Sequence, residues 1–317
     1  MLTTSPQQPS FDTPILLVIF NRPEKVQRLI EVLKKIRPSR LFISADGPRS
    51  THPEDKDLCE SAKKISTSVD WDCEIKTNFH KENMGCAPHV SSAITWFFDN
   101  VNEGIIVEDD CIPHPDFFQF TKMLLEKYSN DEDIMMISGN NFQRGNIFGD
   151  GDYYFSHYAS AWGWATWKRA WQHYKDNLTS ISQSEMAEKM QRMNFSPAEK
   201  KYWLKYFDNI QKGKYPCWDV CWLFSIWNNE GICITPNTNL VQNIGFGSDS
   251  THTIDSEGRY SIPASPLSSI KHPSDAGSVI KVSREADYAL FINSYYQTFI
   301  QKSVQKIKMV LRKIFNW

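Results

Sequence analysis

The sequence lacks an excess of charge of either sign, because 35 Lys and Arg side chains nearly balance 37 Asp and Glu across 317 residues. A protein that binds along a nucleic-acid backbone needs a domain-wide excess of basic side chains, so nucleic acid is not the expected partner. Long apolar runs are missing as well. The run at residues 15–20 is far shorter than the roughly 20 residues that a helix needs to span a bilayer.

Paired cysteine motifs are also absent. The seven cysteines are an odd number, form no CxxC pair and accompany no histidines in zinc-finger spacing, which favours reduced thiols in a cytosolic protein. A metal shared by Cys217 and Cys221 stays open as an alternative, since the two could lie one helical turn apart. Residues 1–13 lack the basic and apolar regions of a signal peptide and predict a disordered lead-in. We therefore expect a cytoplasmic location.

Strands and helices alternate regularly in the first half of the chain. The apolar run 15–20 predicts a strand buried on both faces, the helical spacing of apolar residues predicts a helix over 24–36, and residues 41–45 read as a second strand. The alternation continues with helices and strands at 55–65, 73–77, 88–98, 104–107 and 116–128. This pattern predicts a mostly parallel, doubly wound α/β sheet, in which ligands bind beyond the carboxyl ends of the strands.

The second half is less regular, and we interpret it as an elaboration of the same sheet. The predicted organisation is a lead-in at 1–13, one domain at 14–255 with halves at 14–128 and 129–255, a linker at 256–282 and an amphipathic helix at 283–317. Within the last segment, residues 301–317 carry five basic side chains and no acid. They predict either an interfacial helix on an anionic membrane or a helix packed on this domain or on a second subunit.

Glu108, Asp109 and Asp110 directly follow a predicted buried strand. Three adjacent carboxylates repel one another and cost stability unless a cation compensates, and such oxygen ligands suit Mg²⁺ or Mn²⁺. A divalent ion at this position could also neutralise a diphosphate. The alternative is an acidic loop at the strand end that caps the following helix.

Four motifs follow one another along the first half of the chain: Phe-Asn-Arg-Pro at 20–23, Ser-Ala-Asp-Gly at 44–47, Val-Glu-Asp-Asp at 107–110 and Pro-Asp-Phe-Phe at 115–118. In order and spacing they resemble those of the N-acetylglucosaminyltransferase I-like families of GT-A glycosyltransferases. Ala-Trp-Gly-Trp-Ala-Thr-Trp at 161–167 is similar to a stretch of bacterial sugar transferases once labelled haemolysin-like. The resemblance covers about residues 14–253. It implies a GT-A-like fold, a nucleotide-sugar donor, a divalent metal and inversion at the anomeric carbon.

The resemblance also implies roles for single residues. Arg22 would lie beside the nucleotide and Asp46 would contact uracil, and both roles make chemical sense, since Arg pairs with phosphate and a carboxylate accepts the imide N–H. Ordinary turn chemistry is the alternative for both residues. In the acidic triplet, Asp110 would be the metal ligand, with Asp109 near the ribose and Glu108 near the donor sugar.

An inverting transfer needs a carboxylate that takes the proton of the acceptor hydroxyl. Asp219, in Tyr-Pro-Cys-Trp-Asp-Val at 215–220, resembles the Trp-Asp-Asp catalytic turn of the family. Val220 replaces the second acid, which leaves Asp219 as the only acid of this turn. The alternative is that Asp219 is the N-cap of a helix over 220–229.

The remaining candidates come from a loop and from the Trp-rich stretch. His252 ends a Gly-rich segment and could bind metal or diphosphate, although a lone histidine is more often packed or solvated. Asn83 could shape a loop on the nucleotide side or belong to an ordinary turn. Trp162 and Trp164 could stack on a sugar ring, whereas core packing is the alternative for both.

The sequence thus predicts an inverting glycosyltransferase that depends on Mn²⁺ or Mg²⁺. It would transfer sugar from a nucleotide sugar, with a UDP-sugar expected, to a hydroxyl of a glycan or glycolipid in bacterial surface polysaccharide assembly, at the cytoplasmic face of the inner membrane. Two alternatives stay open. One is a non-catalytic carbohydrate-binding or membrane-associated scaffold. The other is a sugar nucleotidyltransferase, which should carry a Gly-rich phosphate loop where this chain has Asn-Arg-Pro-Glu-Lys at 21–25.

Overall fold

The computed structural model describes residues 11–246, 261–267, 269–274 and 280–296. Within these ranges the strands are β1 (Ile15–Ile19), β2 (Arg40–Ala45), β3 (Glu74–Phe79), β4 (Glu103–Glu108), β5 (Cys111–Pro113), β6 (Ile134–Ser138), β7 (Tyr153–Ser156), β8 (Trp164–Trp167), β9 (Ile232–Pro236) and β10 (Val241–Asn243). The helices are α1 (Pro23–Ile36), α2 (Asp55–Thr67), α3 (Cys86–Asn100), α4 (Pro115–Lys127), α5 (Lys168–Trp171), α6 (Gln183–Arg192), α7 (Pro197–Gln211), α8 (Trp218–Asn228) and α9 (Arg284–Leu290), and a π-helical turn follows at Phe291–Tyr295.

The first half of the main sheet is parallel, in the order β3-β2-β1-β4. Every residue of β1 is buried. The strand pairs with β2 on one side and β4 on the other, and its continuous apolar run is typical of a strand that is covered on both faces. In this register Val18 pairs with Glu108 and Ile19 pairs with Ala45, so β1, β2 and β4 end at one edge. The predicted α/β fold class is confirmed, and this order is consistent with a GT-A-like arrangement.

The second half of the sheet continues from β4 in the order β8-β6-β9-β7 and is mixed. Strand β8 is antiparallel to both β4 and β6, β9 is parallel to β6, and β7 is antiparallel to β9. A separate pair of strands, β5 and β10, is antiparallel. The elaborated half therefore completes one continuous sheet with the parallel half.

The acidic triplet does not cap α4. Strand β5 lies between the triplet and the helix, and His114 is the N-cap, its ring Nδ1 accepting a hydrogen bond of 3.3 Å from the Asp116 N–H. The capping alternative for the triplet is therefore wrong. Its three carboxylates lie instead at the edge of the sheet, in the lining of a cleft.

The segments that flank the sheet pack closely on it. Phe11, within the predicted lead-in, is 5% exposed and its ring lies 5.9 Å from that of Phe118. In the predicted linker, the Leu267 N–H donates to Asp116 and Tyr153 hydrogen-bonds His272.

The predicted basic helix at 301–317 lies outside the described residues. Within the part of the chain that the structure covers, no helix is both long and apolar enough to cross a membrane.

Three charged side chains form a buried cluster beneath the C-terminal segment. Arg284, at the start of α9, lies 2.8 Å from Glu199 Oε2 and 2.8 Å from Asp287 Oδ2, and both carboxylates are fully buried. Ser156 donates to Asp287 at 2.5 Å. Because Glu199 belongs to α7, this cluster holds α9 against the main domain.

Burial shifts the pKa values of two neighbouring side chains, His157 and Asp287, so that they change the stability of the fold with pH in opposite directions. It lowers the pKa of His157 from 6.5 to about 4 and raises the pKa of Asp287 from 3.8 to about 6. The stability contributed by neutral His157 is present above pH 6.5 and is lost as the pH falls through 4. The contribution of protonated Asp287 is present below pH 3.8 and is lost as the pH rises through 6.

We expect two variants to reveal these opposite dependences. Between pH 7 and pH 4 the free energy of unfolding of the wild type should fall by about 3 kcal/mol relative to His157→Gln. Relative to Asp287→Asn, it should instead fall by about 2 kcal/mol as the pH rises over the same range. Urea denaturation at a series of pH values measures both differences. Curves that run parallel to the wild type would contradict the assignment.

Candidate active site

A cleft of about 680 Å³ opens where β1, β2 and β4 end. The predicted site residues that line it are Arg22, Asp46, Asn83, Glu108, Asp109, Asp110, Trp162 and Asp219. Parallel strands end at the same edge of a sheet, and this explains why motifs far apart in sequence meet here. His252 lies outside the described residues.

Arg22 binds two carboxylates of the acidic triplet. Its Nη1 lies 3.1 Å from Asp109 Oδ1 and 3.0 Å from Asp110 Oδ2. The other oxygen of Asp109 accepts a hydrogen bond of 3.1 Å from the Phe20 N–H. Part of the positive charge that the triplet requires therefore comes from the protein itself.

Arg22 does not compensate the whole negative charge of the triplet. Desolvation and the neighbouring Asp110 and Asp109 raise the pKa of Glu108 well above its ordinary value. Desolvation also raises the pKa of Asp109 to about 6, although Arg22 opposes that shift. A further cation in the cleft would relieve this repulsion.

The surroundings of Asp110 suit a hard cation that is shared with a ligand. A Cβ on Gly245 would lie 2.3 Å from Asp110 Oδ2, so only glycine allows the loop after β10 to pass this close. The oxygen of Asn243 is nearby and accepts from the Gly245 N–H at 2.6 Å. Among the residues that the structure describes, no three His, Cys, Asp or Glu side chains converge as a metal site. Mg²⁺ and Mn²⁺ commonly take only one or two carboxylates and complete their coordination with phosphate oxygens and water, so the donor set fits such an ion.

Asp46 holds the loop that forms one wall of the cleft. It is 3% exposed and accepts four hydrogen bonds of 2.8 to 3.1 Å, from the N–H groups of Gly47, Met84 and Gly85 and from the Asn83 amide. These bonds use all four acceptor positions of the carboxylate. The prediction that Asp46 contacts uracil stays a prediction. The structure assigns Asp46 and Asn83 to the support of this loop.

Asp219 lies in the first turn of α8 and is exposed to the cleft. The helix begins at Trp218 with Cys217 as its N-cap, so the alternative that Asp219 caps a helix over 220–229 is wrong. The Cys217 thiol donates to Asp219 Oδ1 at 2.7 Å. Asp219 lines the same cleft as the acidic triplet, and its charge also contributes to the raised pKa of Glu108.

The two predicted sugar-stacking tryptophans have different positions. Trp162 lines the cleft and packs edge-on against Phe246, with ring centroids 5.5 Å apart. Gly163, at φ +67°, then turns the chain into β8. Trp164 is fully buried and packs against Trp218 at 6.0 Å, so it belongs to the core instead of the cleft lining. The expectation that Trp164 contacts a sugar is therefore corrected.

Several residues of the cleft were not predicted from the sequence. Arg49 lines it and pairs with buried Asp55, with its Nε 2.6 Å from Oδ2. Its position just after the Asp-Gly-Pro turn of β2 was a signal that could have identified it. Tyr206 and Tyr215 also line the cleft and stack at 5.3 Å, but no local pattern distinguishes them from ordinary helix and loop residues.

A second cavity of about 380 Å³ adjoins the cleft. The two share the wall formed by Ala161, Trp162, Tyr206, Asp219 and Val220. Asp219 is therefore accessible from both spaces. An acid in this position can act on one molecule while a second molecule occupies the other space.

Comparison with known proteins adds little to this geometry. No protein-family model matches the chain, and no curated protein is similar to it in sequence. A 4-diphosphocytidyl-2C-methyl-D-erythritol synthase from Anaerococcus prevotii DSM 20548 has a TM-score of 0.33 and 8% identity, over 62% of this chain and 83% of that one. Mouse xyloside xylosyltransferase 1 in its apo form has a TM-score of 0.35 and 10% identity, over 69% of this chain and 83% of its own. At such low TM-scores neither neighbour carries an argument.

Proposed function

We propose that this protein is an inverting, metal-dependent glycosyltransferase that uses a nucleotide sugar, with UDP as the nucleotide. The donor would occupy the larger cleft, and a hydroxyl of a glycan or glycolipid would approach from the second cavity. The observation that carries this proposal is the position of Asp219, on the wall shared by both cavities and in the same cleft as the acidic triplet.

Each side chain of the site then has a defined role. Arg22 exchanges its carboxylate partners for the diphosphate, with which a guanidinium forms strong charge-assisted bonds. Asp110 would hold Mn²⁺ or Mg²⁺, with His252 as a further candidate ligand, and the bound ion would neutralise the leaving diphosphate. Glu108 faces the donor sugar and Asp109 the ribose. Trp162 offers an apolar ring face to a sugar.

Asp219 acts as the general base in this proposal. It accepts the proton of the acceptor hydroxyl while that oxygen forms a bond to the anomeric carbon. The bond from the anomeric carbon to the diphosphate oxygen breaks, and the nucleoside diphosphate leaves with that electron pair. Attack from the side opposite the leaving group inverts the configuration of the anomeric carbon.

Titration calorimetry with UDP tests the donor site and its metal. We expect UDP to release heat when Mn²⁺ is present, and Asp110→Asn to weaken this binding by at least about tenfold because a metal ligand is lost. Asp57→Asn, which changes an exposed acid of α2, is the matched control and should bind UDP as the wild type does. Binding without any dependence on Mn²⁺ would contradict the metal assignment. Failure of the wild type to bind UDP would favour the carbohydrate-binding scaffold.

The cellular setting that we propose is bacterial surface polysaccharide assembly at the cytoplasmic face of the inner membrane. The basic composition of residues 301–317 supports attachment to an anionic surface. Co-sedimentation of the full chain with phosphatidylglycerol vesicles tests this attachment. Replacing the five basic side chains of that segment with Gln should abolish it.

A further inference from the structure

We infer that the second cavity binds one ring of an uncharged sugar as the acceptor, by means of aromatic walls and two buried N–H donors. This inference rests on the proposed function and specifies the substrate class for the smaller of the two spaces. Two of the residues involved, Asn140 and Trp222, lie outside all the sequence motifs described above.

The walls of the second cavity suit a sugar ring. Aromatic side chains dominate among the described residues that line it, with Phe142, Trp203, Tyr206, Trp222 and Tyr295 joining Trp162. Aromatic faces pack well against the apolar C–H faces of a pyranose. The volume of about 380 Å³ is within the range of small-molecule sites, which is about 300–1,000 Å³.

The charge of the lining indicates that the ligand is neutral. Asp219 is the one charged side chain among the described residues that line this cavity, and it stands at the boundary with the larger cleft. An acidic sugar would meet no cation here and would be repelled by Asp219. A basic sugar would pair with Asp219 and block its access to a hydroxyl proton.

Two polar groups in the lining lack partners. Asn140 Nδ2 and Trp222 Nε1 are buried and have no hydrogen-bond partner among the residues that the structure describes. The residues are 1% and 0% exposed. The side-chain oxygen of Asn140 accepts a hydrogen bond of 3.3 Å from the backbone N–H of Trp162, and this bond orients the Asn140 amide. Buried donors are normally satisfied, and these two atoms have almost no accessible surface, so a ligand in the adjoining cavity would reach them after a small shift of the lining side chains. Sugar hydroxyls supply acceptors for such donors.

The position of the cavity completes the arrangement. Because Asp219 lines both spaces, a ring bound in the second cavity can present one hydroxyl to it. Val220 also lines both spaces and adds no second charge at this point. Tyr295, from the turn after α9, forms part of the wall, so the C-terminal segment contributes to acceptor recognition.

Saturation-transfer NMR with methyl β-glucopyranoside, methyl β-galactopyranoside and methyl β-glucuronide tests the inference on the full chain. We expect the two neutral glycosides to bind and the glucuronide not to bind. Trp222→Phe keeps an aromatic ring but removes the N–H, and we expect it to weaken binding of the neutral glycosides about 3- to 10-fold. Ala159→Trp places a bulky side chain in the cavity and should abolish that binding.

Trp164→Phe is the matched control. Trp164 Nε1 is likewise buried without a partner in the described part of the chain, but Trp164 lines neither cavity there. This variant should bind the neutral glycosides as the wild type does. Equal losses in Trp222→Phe and Trp164→Phe, or glycoside binding that survives in Ala159→Trp, would overturn the inference.

Calorimetry with UDP and Mn²⁺ on the same preparations separates this inference from the proposed function. If UDP binds to every variant and the glycosides bind as predicted, both stand. If UDP binds but the glycosides do not, or if the variants fail the pattern above, the inference falls and the proposed function stands. If UDP does not bind the wild type, the proposed function falls and the acceptor role falls with it.

Discussion

Replacing Asp219 with Asn is expected to lower the rate of sugar transfer about 10²- to 10⁴-fold, the usual contribution of a positioned general base. The amide keeps the size and a hydrogen-bonding oxygen of the side chain but cannot accept the hydroxyl proton at neutral pH. Release of UDP from the donor, with and without a neutral glycoside acceptor, is the measurement. UDP binding in the presence of Mn²⁺ should change little, because Asp110 and Arg22 are unaltered.

Asp208→Asn is the control for this experiment. Asp208 is an exposed acid of α7 that pairs with Lys212 and lines neither cavity among the described residues. Its replacement should leave the transfer rate at the wild-type value. Undiminished transfer by a folded Asp219→Asn variant would remove Asp219 from the mechanism and direct attention to Glu108.

Replacing Arg284 with Met is expected to destabilise the protein by about 3–5 kcal/mol, because it leaves two buried carboxylates without their cation. Glu199 keeps two neutral donors, the Tyr158 hydroxyl at 3.1 Å and the Ser196 backbone N–H at 2.8 Å, and Asp287 keeps Ser156 and one backbone N–H. Urea denaturation at pH 7 measures the loss.

Arg192→Met provides a control of the same residue type. Arg192 also pairs with a carboxylate, that of Glu230 at 2.7 Å, but both side chains are about half exposed. Its replacement should cost about 0–1 kcal/mol. Similar losses in the two variants would contradict the importance of burial.

Because Tyr295 follows α9, Arg284→Met should also weaken glycoside binding more than UDP binding.

The parallel half of the sheet could be predicted because its patterns are local and continuous. Buried strands such as β1 appear as unbroken apolar runs, and the polar residues that follow them must meet at one edge. The same reasoning identified Arg22, Asp46 and the acidic triplet as neighbours, whereas Asp219 was assigned through its resemblance to the Trp-Asp-Asp turn of the family. The ion pairs of Arg22 with Asp109 and Asp110 could not be predicted in this way, because they depend on the direction in which each side chain points at the edge of the sheet.

The boundary between α6 and α7 could have been predicted from capping residues in the sequence. The stretch 182–211 reads as one polar helix, yet Ser182 with Glu185 and Ser196 with Glu199 form two capping boxes that divide it into α6 and α7. Trp162 and Trp164 look equivalent in sequence. Only the backbone reversal at Gly163 separates the residue that faces the cleft from the one in the core.

The position of β8 has a consequence for how the chain folds during its synthesis. This strand lies between β4 and β6 and is antiparallel to both, although it follows both in the sequence. Until residue 167 has left the ribosome, β4 therefore presents an open apolar edge, the kind that pairs with other chains. Fragments that stop before β8 should aggregate. The two halves of the sheet should unfold in a single transition, so the N-terminal half should not form a stable fragment.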